Sequence, residues 1–133
     1  ICAREFGKEM IKAKYGRIIN IASMYGLVGN MIVGSAPYHA AKGGVVNMTR
    51  ALAAEWGKHG ITVNSICPGY FYTDLTTATL DSDFFQEIAK KNIPLQRYGR
   101  SGELDTCAIF LASPSSTYVN GQNIAVDGGY TCV

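Results

Sequence analysis

Arg17-Ile18-Ile19-Asn20-Ile21-Ala22-Ser23 is the stretch on which the fold turns. Apolar, β-branched residues run almost without alternation, the pattern of a strand covered on both faces. Upstream, residues from about Ala3 to Lys14 read as a helix, with Phe6, Met10 and Ile11 forming a partial apolar stripe between charges. Tyr15-Gly16 ends it. Downstream, Met24 to Gly34 carries three glycines and reads as a loop.

The same alternation continues to the end of the chain. Ser35 and Pro37 are helix-start residues, and a long helix follows from Tyr38 through Val45, Val46, Thr49, Leu52, Ala53 and Trp56 to Gly57 or Gly60. Ile61 to Cys67 reads as a second strand, stopped by Pro68-Gly69. Thr73 to Lys91 has little patterning beyond a helix at Asp83–Lys91, and such a stretch is a candidate mobile lid. Gly102 to Leu111 reads as another helix. Gln122 to Val126 reads as a third strand, turned off by Asp127-Gly128-Gly129. Helices alternating with apolar strands imply an α/β fold, a parallel sheet with helices on both faces and right-handed crossovers. No repeat or linker divides the chain, so residues 1–133 form one unit.

Composition narrows the function classes. The 133 residues are 47% hydrophobic and 17% charged, with a net charge of +2. The basic residues are scattered, which argues against a nucleic-acid partner, and no apolar run is long enough to cross a membrane. Cys2, Cys67, Cys107 and Cys132 form no Cys-x-x-Cys and are joined by only two histidines, so no metal site is expected. They read as reduced thiols of a cytoplasmic protein. The first residue is Ile1, with no initiator Met and no signal-like segment.

The chemistry lies in Ser35-Ala36-Pro37-Tyr38-His39-Ala40-Ala41-Lys42. On a helix, Tyr38 and Lys42 share one face. A free phenol ionises near ~10 and is a poor proton carrier at neutral pH, whereas a nearby cation favours the phenolate. A Tyr with a Lys one turn later is therefore a candidate proton-transfer pair.

With these residues in place, the chain resembles the short-chain dehydrogenases/reductases. Gly16 to Ser23 looks like that family's fifth strand, ending in its catalytic serine. Tyr38 to Lys42 matches its Tyr-x-x-x-Lys, and Asn64 to Thr73 resembles its Pro-Gly loop after strand six. Tyr118-Val119-Asn120-Gly121-Gln122 with Val126-Asp127-Gly128-Gly129 resembles its closing segment. The resemblance implies a Rossmann-like fold of three strands and three to four helices, and an oxidoreductase interconverting a secondary alcohol and a ketone with NAD or NADP. Ser23 would hydrogen-bond the substrate oxygen, Tyr38 would carry the proton and also contact the cofactor, and Lys42 would tune Tyr38 and bind the nicotinamide ribose. Pro68, Gly69, Phe71 and Thr73 would hold the nicotinamide, with the Phe71 backbone and the Thr73 hydroxyl at its carboxamide. Tyr25, Tyr70 and Tyr72 are candidate substrate-pocket residues. His39 is expected to point away from the Tyr38–Lys42 face as a structural residue, and Trp56 to sit in a helix-end core or interface. Asp127-Gly128-Gly129 is expected to be a turn and subunit contact. The partners implied are a small-molecule substrate and further copies in a dimer or tetramer.

Ser23 and Tyr38 are fifteen positions apart, a longer loop than in many family members. The loop and its Ala22-Ser23-Met24-Tyr25-Gly26 start resemble the gluconate 5-dehydrogenase branch of sugar-acid and polyol enzymes, with the 3-oxoacyl carrier-protein reductases as the rival branch. The family's Gly-rich phosphate turn has no counterpart here, nor do its coenzyme-selecting residue and upstream Asn. By resemblance the chain is the C-terminal half of such a domain, the N-terminal dinucleotide-binding half being its missing companion. The strand at Arg17–Ala22 would then lack a neighbour and expose an apolar edge. Poor folding and weak or no cofactor binding are expected of the chain alone. On that footing a purely structural role in subunit association is the alternative to catalysis.

Overall fold

The computed structural model describes residues 1–133. Helix α1 (Cys2–Ala13) leads into strand β1 (Gly16–Ile21) through Lys14, whose left-handed backbone lets its N–H cap the Ile11 carbonyl. A short 3-10 turn at Met24–Gly26 follows, then the long helix α2 (Ala36–Trp56) and strand β2 (Ile61–Pro68). Two helices, α3 (Thr77–Leu80) and α4 (Asp83–Asn92), precede α5 (Asp105–Ala112) and strand β3 (Asn123–Val126). The expected helix at Gly102–Leu111 starts three residues late. Gly102 is left-handed at φ 86°, a conformation that an α-helix cannot continue through, and residues 101–104 form turns instead.

The sheet is parallel in the order β1-β2-β3, with Arg17 opposite Thr62 and Ser65 opposite Asn123. This is a Rossmann-like arrangement. Seven of the eight residues of β2 are buried, as its central place demands. Ile61 and Val63 face α1 and α2, where Met10, Ile11, Leu52 and Trp56 pack around them with Ala53. Trp56 thus sits in the core at the end of α2. Arg17, opposite Thr62 on the other face, reaches the Ser113 carbonyl just past α5. Helices therefore cover both faces. β1 lies at the edge, and Ile21 is 55% exposed there.

Residues 73–91, expected to be a loosely patterned candidate lid, help build a second small core. Leu80, Ala89, Ile93 and Tyr98 are buried together, with Tyr70, Tyr72 and Phe85 packed against them. The sequence pattern missed it because its apolar members come from separate elements rather than one helical stripe.

Two polar contacts place α2 against the sheet. Asn20 of β1 donates to the Thr49 hydroxyl at 2.9 Å, and that hydroxyl donates to the Val45 carbonyl. Asn120 accepts from the Val63 N–H and donates to the Ala53 carbonyl. Both satisfy buried groups while fixing the height of the helix along the strands.

Candidate active site

The carboxyl ends of β1 and β2 open into a cleft of about 400 Å³, bordered by Ser23, Tyr25, Tyr38, Gly69, Tyr70, Phe71 and Thr73 among others. In a parallel sheet this is the end where ligands bind, because loops leaving adjacent strands converge there.

Ser23 caps the 3-10 turn. Its hydroxyl accepts from the Tyr25 N–H at 3.1 Å, which leaves its own proton free to donate into the cleft. Tyr38 stands in the first turn of α2, 46% exposed. The Lys42 ammonium lies 5.8 Å from the centre of the Tyr38 ring and donates to the Ile21 carbonyl at 3.1 Å. One bond from an edge-strand carbonyl and one ring face thus locate the cation beside the phenol. Gly26 sets the distance between the turn and the helix. A methyl at that position would lie 2.7 Å from the Lys42 carbonyl oxygen, so only glycine lets the serine-bearing turn press against α2.

The loop after β2 supplies the opposite wall. Gly69 passes so close to Asp127 that an added Cβ would meet its Cα at 2.7 Å. Pro68 ends β2, paired with Val126, and does not border the cleft. The Thr73 hydroxyl, expected at the nicotinamide carboxamide, lies 2.9 Å from the Thr76 hydroxyl. Thr76 donates its proton to the Phe71 carbonyl at 2.7 Å, so Thr73 donates to Thr76 and keeps its lone pairs as acceptors.

Tyrosines form the deep wall. The Tyr25 and Tyr70 hydroxyls are 2.7 Å apart, and Tyr130, from the 3-10 turn Tyr130–Cys132, brings a third to 3.4 Å from Tyr25. Burial pushes the Tyr25 and Tyr70 phenols upward, and for Tyr25 the hydroxyl contacts add to the rise. Tyr98, behind them, is pushed up to about 12, chiefly by burial. Tyr72 turns away from the cleft into this second core, where Gln86 donates to it. His39 is not remote from the site. Its ring lies 4.9 Å from the Tyr25 ring, Nδ1 donates to the Ser35 carbonyl at 2.9 Å, and Nε2 is buried without a partner. It therefore buttresses the wall. Asp127 turns the chain as expected, its carboxylate accepting from the Gly129 and Thr131 N–H groups.

Sequence reasoning missed Tyr130 and Thr76. Tyr130 directly follows the Asp127-Gly128-Gly129 turn but is more than a hundred positions from Tyr25, and only the fold brings the two hydroxyls together. Thr76 looked like one of several polar residues in an unpatterned stretch.

No helix is long and apolar enough to cross a membrane. Residues 1–131 match the family model described as enoyl-(acyl carrier protein) reductase. Among curated relatives, the chain is 41% identical to galactitol 2-dehydrogenase (L-tagatose-forming) of Cereibacter sphaeroides, covering 97% of this chain and 51% of that protein. It is 42% identical to a 3-oxoacyl-[acyl-carrier-protein] reductase of Synechocystis, covering 97% and 50% respectively. Among solved structures, a gluconate 5-dehydrogenase from Burkholderia cenocepacia in complex with NADP and tartrate superposes with a TM-score of 0.91 at 40% identity. That match covers 98% of this chain and 51% of the other. The chain spans about half the length of the curated relatives it matches.

Proposed function

Because the chain belongs to the short-chain dehydrogenase/reductase family, we propose that it forms the proton-relay part of an NAD(P)-dependent oxidoreductase acting on the secondary alcohol or ketone of a sugar acid or polyol. In this reading residues 1–133 are the C-terminal portion of one Rossmann-type domain, completed by a dinucleotide-binding portion. The observation that carries it is the shared cleft: Ser23, Tyr38, Phe71 and Thr73 border one space, with Lys42 beside Tyr38. A galactitol 2-dehydrogenase and a gluconate 5-dehydrogenase among its relatives favour sugar-derived substrates.

The residues suit the nicotinamide end of the cofactor. Gly69, Phe71 and Thr73 border open space next to the proposed proton donors, and the Thr73 lone pairs suit a carboxamide NH₂. Lys42 would hold the ribose. When bound, the nicotinamide supplies or accepts the hydride. The chain's own groups do the rest. Ser23 donates its free hydroxyl proton to the substrate oxygen and holds it in place. Tyr38 Oη passes a proton to that oxygen in reduction and takes it back in oxidation. Lys42, anchored on the Ile21 carbonyl, keeps positive charge beside the ring that bears the developing negative charge. The wall of buried Tyr25 with half-buried Tyr70 and Tyr130 shields the reacting oxygen from water. Phe6 and Met48 remain exposed on α1 and α2, and association of further copies through these helices belongs to the same proposal.

The test joins the chain to the amino-terminal half of the galactitol 2-dehydrogenase and follows nicotinamide absorbance with polyols and sugar acids. Turnover that Tyr38→Phe abolishes is the expected result. A folded, cofactor-binding chimera without turnover on any secondary alcohol overturns the proposal. The isolated chain should bind NAD(H) or NADP(H) weakly or not at all; micromolar binding with turnover would overturn the two-part reading.

A further inference from the structure

The amino end of the sheet carries a groove that the proposed chemistry leaves unused. Tyr15 and Arg17 at the entry to β1, Gly60 and Thr62 at the entry to β2, and Thr117, Tyr118 and Asn120 before β3 enclose about 610 Å³, with Lys14 at the rim. Because the strands are parallel, this end lies a six-residue strand, roughly 20 Å, from Ser23.

Its charge is one-sided. Lys14 and Arg17 border the groove, and no Asp or Glu does. Neither cation pairs with a carboxylate, whereas Arg4, Lys8, Lys12, Lys90, Lys91 and Arg97 all do. Arg17 is nevertheless held in place. It donates to the Gly16, Ser113 and Pro114 carbonyls at 3.0, 3.4 and 3.3 Å and lies 4.8 Å from the centre of the Tyr15 ring. Carbonyl dipoles and a ring face orient the guanidinium but leave its full charge uncancelled.

A second observation points the same way. Thr62 is only 6% exposed, and its hydroxyl has no hydrogen-bond partner. It stands opposite Arg17 in the strand register, so both side chains lie on one face of the sheet at the groove. A buried hydroxyl without a partner is rare in native proteins, because burial strips its water without replacing it. A polar ligand seated beside Arg17 would supply the missing contact. Asn120, by contrast, has both ends of its amide engaged and only shapes the wall.

We propose that this groove binds a small phosphate-class oxyanion, carried as a phosphate monoester. Lys14 and Arg17 supply charge-assisted donors and Thr62 a hydroxyl, the donor set that suits phosphate oxygens. The space exceeds a bare phosphate, and the half-exposed Tyr15 and fully exposed Tyr118 leave ring surface for an organic body. This site is independent of the oxidoreductase reading, since it shares no residue with the cleft.

The test is the melting temperature of the chain completed by the amino-terminal half described above, with its nicotinamide cofactor bound, in millimolar phenyl phosphate or inorganic phosphate, against chloride at matched ionic strength. Ligand that binds only the folded state raises it, so even a marginally stable chain reports binding. At about five times the dissociation constant the rise should be about 3 °C. It should be larger for phenyl phosphate, and at least halved in Lys14→Gln, a surface change that leaves packing alone. Thr62→Val, nearly isosteric, should fold at least as well and bind several-fold more weakly. No rise with either phosphate overturns the proposal, as does a rise that Lys14→Gln and Thr62→Val leave unchanged. So does stabilisation by an acidic peptide alone, which would mark a protein contact instead.

Discussion

The two ends of one parallel sheet are built on opposite principles. At the carboxyl end the cleft is bordered by hydroxyls, with its one nearby cation, Lys42, tied to a backbone carbonyl beside a ring. At the amino end the groove is bordered by cations without carboxylate partners. The first arrangement suits moving a proton at an uncharged oxygen, because few fixed charges compete with the one that develops. The second suits holding an anion. The difference comes from the strand ends. Loops leaving β1 and β2 carry Ser23 and the Gly69–Thr73 segment, while the amino end of β1 carries Lys14 just before the strand and Arg17 within it.

The strongest way to break this contrast is at the phenol. Tyr38→Phe in the completed enzyme should lower turnover about 10²–10⁴-fold, the usual worth of a positioned proton donor, while leaving cofactor affinity nearly unchanged. A loss smaller than tenfold in steady-state kinetics would mean that another group carries the proton. Next is the core shared by both ends. Leu111, 1% exposed on α5, should cost about 2–5 kcal/mol when changed to Ala, measured by urea unfolding. Both sites should weaken together if the sheet is one cooperative unit.

The tyrosine wall gives a third lever, through pH. Tyr25, Tyr70 and Tyr98 all have phenols raised above the ordinary value of 10. Folding keeps them protonated where the unfolded chain ionises, so stability is intact below pH 10 and falls as pH rises through that value. The slope is at most about 1.4 kcal/mol per pH unit for each phenol. Denaturation midpoints from pH 8 to 11 would measure it, and a flat profile would show that the wall opens to water. Tyr25→Phe removes the hydroxyl contacts to Tyr70 and Tyr130 and should cost about 1 kcal/mol, with a larger effect on substrate KM than on folding. Smallest of all is Glu103→Gln. Arg97 holds the Glu103 carboxyl down to about 2 through two hydrogen bonds, so its support is present above the ordinary carboxylate range and fades as pH falls toward 2. Both partners are exposed, so water screens the pair and the loss at neutral pH should be the smallest in the series.

The carboxyl end was largely legible in the sequence. The apolar run at Ile18–Ala22, interrupted only by Asn20, announced a strand, which the structure leaves half-buried at the sheet edge, and the four-residue spacing of Tyr38 and Lys42 announced a shared helical face, because both signals are local. Tyr130, His39 and the second core around Leu80 were not, since their meaning depends on which distant segments the fold brings together. Pro68 shows the opposite limit. It belongs to a motif by neighbourhood, yet strand pairing turns it away from the cleft that its neighbours border. The groove at the amino end was invisible for a further reason: scattered basic residues carry no pattern until the parallel register aligns the strand entries.

Gly26 has a consequence for how this chain can vary. It touches no reactant and carries no charge, yet a single methyl there would stand 2.7 Å from the Lys42 carbonyl. In a saturation library scored for activity, position 26 should therefore tolerate as little as Tyr38 itself. Its neighbour Leu27, partly exposed on the same turn, should accept many replacements.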